Sequence, residues 1–188
     1  MKKAFLSLIC LASIAAASAQ TSIGAKAGAQ FTNFTGSDVS GAKMKVGFYG
    51  GAYARFKVSE EFAIQPEVLY SNQGTKLKEG SETANWHANY INIPVLAQYH
   101  LPVGLHFETG PQIGFLMSAK IKADGVSMDV KDGMKSTDFS WAFGAGYKIT
   151  DKLGVNARYN LGLSNVSDGK AKNSAIQVGL SYELFNSK

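Results

Sequence analysis

A strict alternation of apolar and polar side chains, sustained for more than ten residues at a time, constrains this chain more than any other feature. The alternation is clearest between residues 89 and 119, where two runs flank a short break at Pro102 and Gly104. Such a period of two indicates β-strands, and these runs exceed the five or six residues usual in soluble sheets. Ile, Val, Phe and Tyr occupy one face and small or polar residues the other. This pattern predicts strands with lipid on one side and a polar barrel interior on the other.

The same alternation recurs eight times along the chain, and no segment after residue 19 has a convincing helical period. The runs cover approximately residues 22–31, 46–58, 62–73, 89–100, 105–119, 138–149, 153–164 and 174–185. Short connections at 59–61, 100–104 and 150–152 alternate with longer polar segments at 32–45, 74–88, 120–137 and 165–173. We therefore predict an all-β fold, an eight-stranded antiparallel up-and-down transmembrane β-barrel with short periplasmic turns and longer extracellular loops. An even strand number closes the sheet without an edge, as lipid requires.

The first 19 residues have the features of a secretory signal peptide. Lys2 and Lys3 precede an apolar run, and Ala17-Ser18-Ala19 forms a small-residue cleavage site. The run is shorter than a membrane-spanning helix needs. We therefore expect residues 1–19 to be removed on export and residues 20–188 to form one outer-membrane barrel domain. The only cysteine, Cys10, lies within the signal, so the mature chain can form neither a disulfide framework nor a thiolate metal site.

Alternation alone does not decide which face points inward, because a soluble lipocalin-like barrel would place the apolar face inside. The apolar face carries too many large rings for the narrow interior of an eight-stranded barrel. Several of these rings lie near strand ends, as they do in the aromatic girdles of membrane proteins. The opposite face is rich in Gly, Ser and Ala, which suits a crowded interior. We therefore expect the apolar face to contact lipid.

This orientation places charged side chains inside the barrel at similar depths from the short-turn end. We call them the interior charge layer: Lys26, Arg55, Glu67, Glu108 and Arg158. Because unpaired buried charge is costly, these groups should pair with one another. The pairing predicts a structural plug, and the same residues would also allow a gate or a narrow ion path.

Three strand prolines each remove a backbone hydrogen-bond donor, and we expect local bulges or bends there: Pro66, Pro94 and Pro111.

Four motifs resemble the outer-membrane β-barrel family called "porin family" or PorT-like. They are IQPEVLY at 64–70, YINIPVL at 90–96, GPQIGFL at 110–116 and ARYNLGL at 157–163. The resemblance covers essentially all of the mature chain. It implies an eight-stranded barrel in the outer membrane of a Gram-negative bacterium. It implies little about activity, although PorT-like members linked to protein secretion share the architecture.

The sequence predicts no catalytic residue, cofactor or metal site. His87 with Ser81 and Glu82 could form a nucleophile arrangement in a loop, but polar loops contain such residues by chance. The carboxylates between residues 124 and 138 lack EF-hand spacing. Removal of Lys2 and Lys3 with the signal lowers the formal net charge from +5 to +3, and this excess is spread along the chain without a basic block, which does not favour nucleic-acid binding. We therefore expect no enzyme and no nucleic-acid partner.

Three functions stay open at this point. The favoured one is a structural or adhesive barrel with a side-chain-plugged interior, the second a narrow porin-like channel, and the third a lipid-A-modifying enzyme. The expected partners are outer-membrane lipid and an unidentified extracellular or periplasmic protein. A closed barrel satisfies its own backbone, so we expect a monomer.

Overall fold

The computed structural model describes residues 20–36, 42–79, 82–123, 126–167 and 169–187. The predicted signal peptide lies outside these residues, so its cleavage stays a prediction. Among the described residues, no helix combines the length and the apolar character needed to cross a membrane.

Ten strand segments form the sheet, with one short 3-10 turn at Lys131–Gly133. The segments are β1 (Thr21–Thr35), β2 (Ala42–Lys57), β3 (Phe62–Gln73), β4 (Thr75–Glu79), β5 (Glu82–His100), β6 (Leu105–Ala123), β7 (Val126–Asp129), β8 (Thr137–Lys148), β9 (Leu153–Gly162) and β10 (Lys172–Asn186). They make eight barrel strands, because β4 continues β3 beyond Gly74 and β7 pairs only with the outer end of β6.

Each of the eight barrel strands is antiparallel to the next, and β10 pairs with β1 over almost their full length to close the ring. Around the barrel the order is β1, β2, β3 with β4, β5, β6, β8, β9 and β10. The predicted closed eight-stranded antiparallel barrel is confirmed.

The strands extend farther on the extracellular side than the alternation indicates. β5 begins at Glu82 and β6 continues to Ala123, so much of the predicted loops 74–88 and 120–137 is sheet. Pairs such as Asn85↔Lys122 carry polar side chains in this part. Beyond the membrane both faces of the sheet can meet water, so no apolar alternation is required and the sequence carries no strand signal there.

The apolar face points outward, as predicted. Among the described residues the large hydrophobic side chains are mostly exposed on the barrel wall, including Phe48, Val68, Phe107, Phe143, Val178 and Leu180. The buried side chains are largely polar, including Gln30, Glu67, Ser71, Asn92, Gln98 and Gln177. This reversal of the usual soluble arrangement indicates a barrel solvated by lipid.

Bulges or bends were expected at the three strand prolines; the ladders show no bulge there, and bends stay a prediction. The β5–β6 pairing reaches Pro94↔Gln112, leaves out two rungs that include Pro111, and resumes at Ala97↔Thr109 in the same register. Corresponding gaps lie at the other two prolines, on the β2–β3 and β3–β5 pairings. Proline lacks the N–H that a rung needs, and the long flanking ladders hold the register across the gap. Register shifts lie away from the prolines, in the β1–β10 pairing at the periplasmic end of β1 and in the β5–β6 pairing near the outer part of β5.

Two glycines face each other where the barrel closes. Gly28 of β1 is directly opposite Gly179 of β10. A Cβ on either glycine would overlap the neighbouring strand backbone, and one on Gly28 would lie 2.9 Å from Cε1 of Tyr49. Tyr49 is buried, and its hydroxyl donates a hydrogen bond to Oδ1 of Asn156 at 2.9 Å. The glycine pair therefore gives the tyrosine ring room to cross the interior.

We expect Gly179→Ala to destabilise the barrel by about 1–3 kcal/mol, the range for overpacking a tight interior. Urea titration of the refolded protein in detergent micelles would measure this change. Gly50→Ala is a suitable control, because the nearest atoms to a Cβ at Gly50 are 3.6 Å away. Equal stability of the two variants would contradict the proposed crowding at Gly179.

Candidate functional site

Four members of the predicted interior charge layer meet in the centre of the barrel. Lys26 lies on β1, Glu67 on β3, Glu108 on β6 and Arg158 on β9, and all four are buried. These are alternate strands of the eight-stranded ring, so the four side chains approach from four directions. We call this group the central cluster.

Arg158 is the hub of the central cluster. Its Nη1 and Nη2 donate to the two carboxylate oxygens of Glu67, each at 2.8 Å. Its Nε donates to Oε1 of Glu108, also at 2.8 Å. A planar guanidinium can hold two carboxylates in this way, and such charge-assisted bonds are the strong ones.

Lys26 and two amides complete the central cluster. Lys26 Nζ lies 3.3 Å from Oε1 of Glu67 and 3.9 Å from Oε1 of Glu108. Gln65 Nε2 donates to Glu67 at 2.8 Å, and Gln98 Nε2 donates to Glu108 at 3.1 Å. The two cations and two anions cancel formally, which is what a charged group in a dry interior requires.

Arg55 is not part of the central cluster. It lies nearer the periplasmic mouth and is partly exposed, with Nη1 3.5 Å from Oε2 of Glu183. Its Nε donates to Oε1 of Gln65 at 2.9 Å, and Gln65 in turn bonds to Glu67. Sequence reasoning missed Glu183, although this residue follows Ser181 by two positions and so lies on the same polar face of β10.

A second polar network fills the extracellular half of the interior. Ser71 and Gln177 donate to Oε1 of Gln30, at 3.0 and 3.2 Å. Farther out, Asn173 donates to Gln73 and to Asp138. Within the described residues, five buried polar atoms of this half have no hydrogen-bond partner: Tyr90 Oη, Asn92 Nδ2, Gln112 Oε1, Asn160 Oδ1 and Asn173 Oδ1. The interior of this half of the barrel is therefore lined with polar groups.

Apolar side chains cover part of the extracellular mouth. Val130 and Met134, from the segment between β7 and β8, pack against a buried cluster that contains Tyr90 and Leu116. Lys135 N donates to the carbonyl oxygen of Val166, which ties this segment to the β9–β10 connection. The segment therefore lies over the barrel end.

The histidines form no catalytic arrangement in the described part of the chain. His100 and His106 stack at 5.0 Å between ring centroids beside a periplasmic turn, far from the loop residue His87. Ser81 is outside the described residues. His87 lies in the extracellular extension of β5, where burial lowers its pKa and the charges of Lys45 and Lys122 lower it further. Nor do three or more metal-ligating side chains come together anywhere in the described ranges.

Residues 17–168 match the family model of the outer membrane protein beta-barrel domain. The chain therefore belongs to the outer membrane protein β-barrel domain family, and its place is the outer membrane. No curated protein sequence matches it.

Solved structures of small outer-membrane barrels are similar to this one. Neisserial surface protein A (NspA) has a TM-score of 0.59 at 16% identity, with 86% of this chain and 97% of that chain covered. Ail, the attachment invasion locus protein of Yersinia pestis, in complex with the heparin analogue sucrose octasulfate, has a TM-score of 0.51 at 15% identity. In that case 88% of this chain and 99% of Ail are covered. At these identities the likeness shows the fold.

Proposed function

We propose that this protein is a closed structural or adhesive barrel whose interior is plugged by side chains. The observation that carries the proposal is the central cluster, in which Arg158 bridges Glu67 and Glu108 across the lumen at 2.8 Å. Charges that satisfy one another at these distances leave no free site for a permeating ion. A sealed lumen leaves interaction to the surfaces outside the membrane.

The part of the sheet that extends beyond the membrane supplies such a surface. The strands β4 and β7, with the outer ends of β5 and β6, continue the barrel wall into the extracellular space. Backbone pairing keeps this extension ordered, so it can present side chains to an extracellular protein or matrix at little entropic cost. The identity of that partner, the monomeric state and the PorT-like subgroup stay predictions.

Conductance in a planar bilayer tests the plug. We expect silence from the refolded wild type and openings from Arg158→Ala, because the variant removes the side chain that spans the lumen. Lys148→Ala is the control, since Lys148 lies on the exposed periplasmic surface with Asp151, and it should be silent. Steady conductance from the wild type would overturn the plug.

A narrow channel is the second candidate. It is favoured by the unpartnered polar atoms of the extracellular half, such as Asn92 Nδ2 and Asn160 Oδ1, because a polar lining of this kind suits a hydrated path. The channel would need the central cluster to open. A lipid-A-modifying enzyme is the third hypothesis, and no described side-chain arrangement favours it.

A further inference from the structure

We propose that an outward-facing basic patch binds the phosphate groups of anionic lipid in the outer leaflet. The patch consists of Lys43 on β2, Lys76 on β4, and Lys120 and Lys122 on β6, all exposed. This inference does not rest on the proposed plug, and conductance results do not bear on it.

The pairing register brings these lysines together. Lys43 is directly opposite Lys76, Lys76 is opposite Asn85, and Asn85 is opposite Lys122. Directly paired residues share a face of the sheet, so the row crosses four adjacent strands on one side. Two rungs nearer the membrane in the β5–β6 pairing, Lys120 is opposite His87.

The fold neutralises only part of this charge. Like charges directly opposite each other are destabilising, yet Lys43 faces Lys76. In the described part of the chain, the ion pairs all involve other residues. Asp129 on β7 is directly opposite Lys120, and unlike charges in this position stabilise a sheet, so Lys120 has an acidic neighbour. An anion from outside the chain would offset the repulsion.

A row of hydrogen-bonded polar side chains marks the outer edge of the lipid-facing wall just below the patch. Asn72 Nδ2 donates to Oδ1 of Asn89 at 2.6 Å, and Asn89 Nδ2 donates to Oγ of Ser118 at 2.9 Å. Lys45 is buried, and its Nζ donates to Oδ1 of Asn72 at 2.7 Å and to the carbonyl oxygen of Gln73 at 3.3 Å, so its charge is held within the protein. On the membrane side of the row the exposed side chains are apolar, among them Tyr70 and Met117.

Lys120 lies at headgroup depth, and the row that contains Lys122 lies just above the headgroups. Lys120 is two residues beyond Ser118 and Lys122 is four beyond it. With about 3.3 Å per residue and strands tilted by about 40°, these positions are roughly 5 and 10 Å above the row. The headgroup layer is about 5–8 Å thick on each side of the hydrocarbon core. Flexible lysine side chains at this height can reach lipid phosphates, and basic residues near a membrane surface attract anionic headgroups.

Lipid A supplies the probe, because it can be prepared with or without its phosphate groups. The protein would be reconstituted in phosphatidylcholine nanodiscs that contain either bisphosphorylated or dephosphorylated lipid A with the same acyl chains. Retention of lipid A would be measured by native mass spectrometry after release. We expect the wild type to prefer the phosphorylated form and the preference to fall as salt rises.

Substitution of Lys120 and Lys122 by glutamine tests the patch directly. At about fivefold per lysine, the double variant should bind phosphorylated lipid A roughly 25-fold more weakly. Lys148→Gln with Lys152→Gln, at exposed periplasmic positions, is the matched control and should bind like the wild type. Equal retention of the two lipid forms by the wild type, or an unchanged affinity in the Lys120/Lys122 variant, would overturn the proposal.

A soluble anionic polymer is the competing occupant. Its binding would be tested by measuring the affinity of heparin for the same protein in pure phosphatidylcholine nanodiscs. If the Lys120/Lys122 variant loses heparin binding and keeps its affinity for phosphorylated lipid A, the patch serves a soluble polysaccharide and the lipid proposal fails. All these substitutions are at exposed positions, so heat-modifiable migration on a gel should show folded barrels in each case.

Discussion

Replacing Arg158 with alanine is expected to lower the free energy of unfolding by about 3–5 kcal/mol, the usual cost of removing one partner from a buried ion pair. The variant leaves Glu67 and Glu108 buried with only Lys26 to balance them. Lys26 Nζ is 3.3 and 3.9 Å from the two carboxylates, so it cannot replace the three bonds that Arg158 makes. Urea titration in micelles would give the difference in unfolding free energy.

Two further variants separate charge from packing at this site. Glu67→Gln in the Arg158→Ala background should recover part of the stability, because it removes one of the uncompensated charges. Lys148→Ala breaks an exposed pair with Asp151 at 3.1 Å and should change stability by no more than about 1 kcal/mol. A loss at Arg158 as small as that at Lys148 would mean that water or another cation balances the two acids.

Replacing Leu180 with lysine is expected to cost about 2–4 kcal/mol, because Leu180 lies halfway along the outward apolar row of β10 and would place a charge near the bilayer midplane. Ile176 and Val178 lie on one side of it and Tyr182 and Leu184 on the other. Folding into phosphatidylcholine vesicles, followed by urea titration, is the measurement.

Depth within the membrane provides the control. Leu184 is also exposed but lies at the periplasmic end of the same row, so Leu184→Lys should cost only about 0–1 kcal/mol. In a soluble barrel both lysines would face water and neither would be harmful. Equal effects at the two positions would therefore contradict the lipid-facing assignment of this row.

The barrel could be predicted from the sequence because each membrane strand contacts two different solvents. Leu180 and Ser181 illustrate the rule, since adjacent residues meet lipid and the interior in turn. The alternation of long and short connections predicted the up-and-down topology. The prolines show the limit of local reasoning: proline chemistry predicts a disturbed ladder at Pro111, but the flanking pairs decide that the disturbance is a gap and not a bulge.

The strand pattern alone was not enough to predict which charged side chains meet. Counting residues from the short turns gave similar depths to Arg55 and Glu108, but the tilt and stagger of the strands place them differently. Arg55 consequently pairs with Glu183 near the periplasmic mouth, while Glu108 meets Arg158 in the centre. The stagger between distant strands depends on how the whole sheet closes, and no single segment encodes it.

The sequence alone determined the strand content, the lipid-facing side and the presence of charges inside, because these follow from a period of two and from the cost of exposing charge to lipid. Tertiary structure alone decided which of those charges meet. Arg158 reaches Glu67, 91 positions earlier in the chain, and the Lys43–Lys76–Asn85–Lys122 row exists only because the strands pair beyond the membrane. Both depend on cross-strand register, which the closed hydrogen-bonded sheet fixes as a whole.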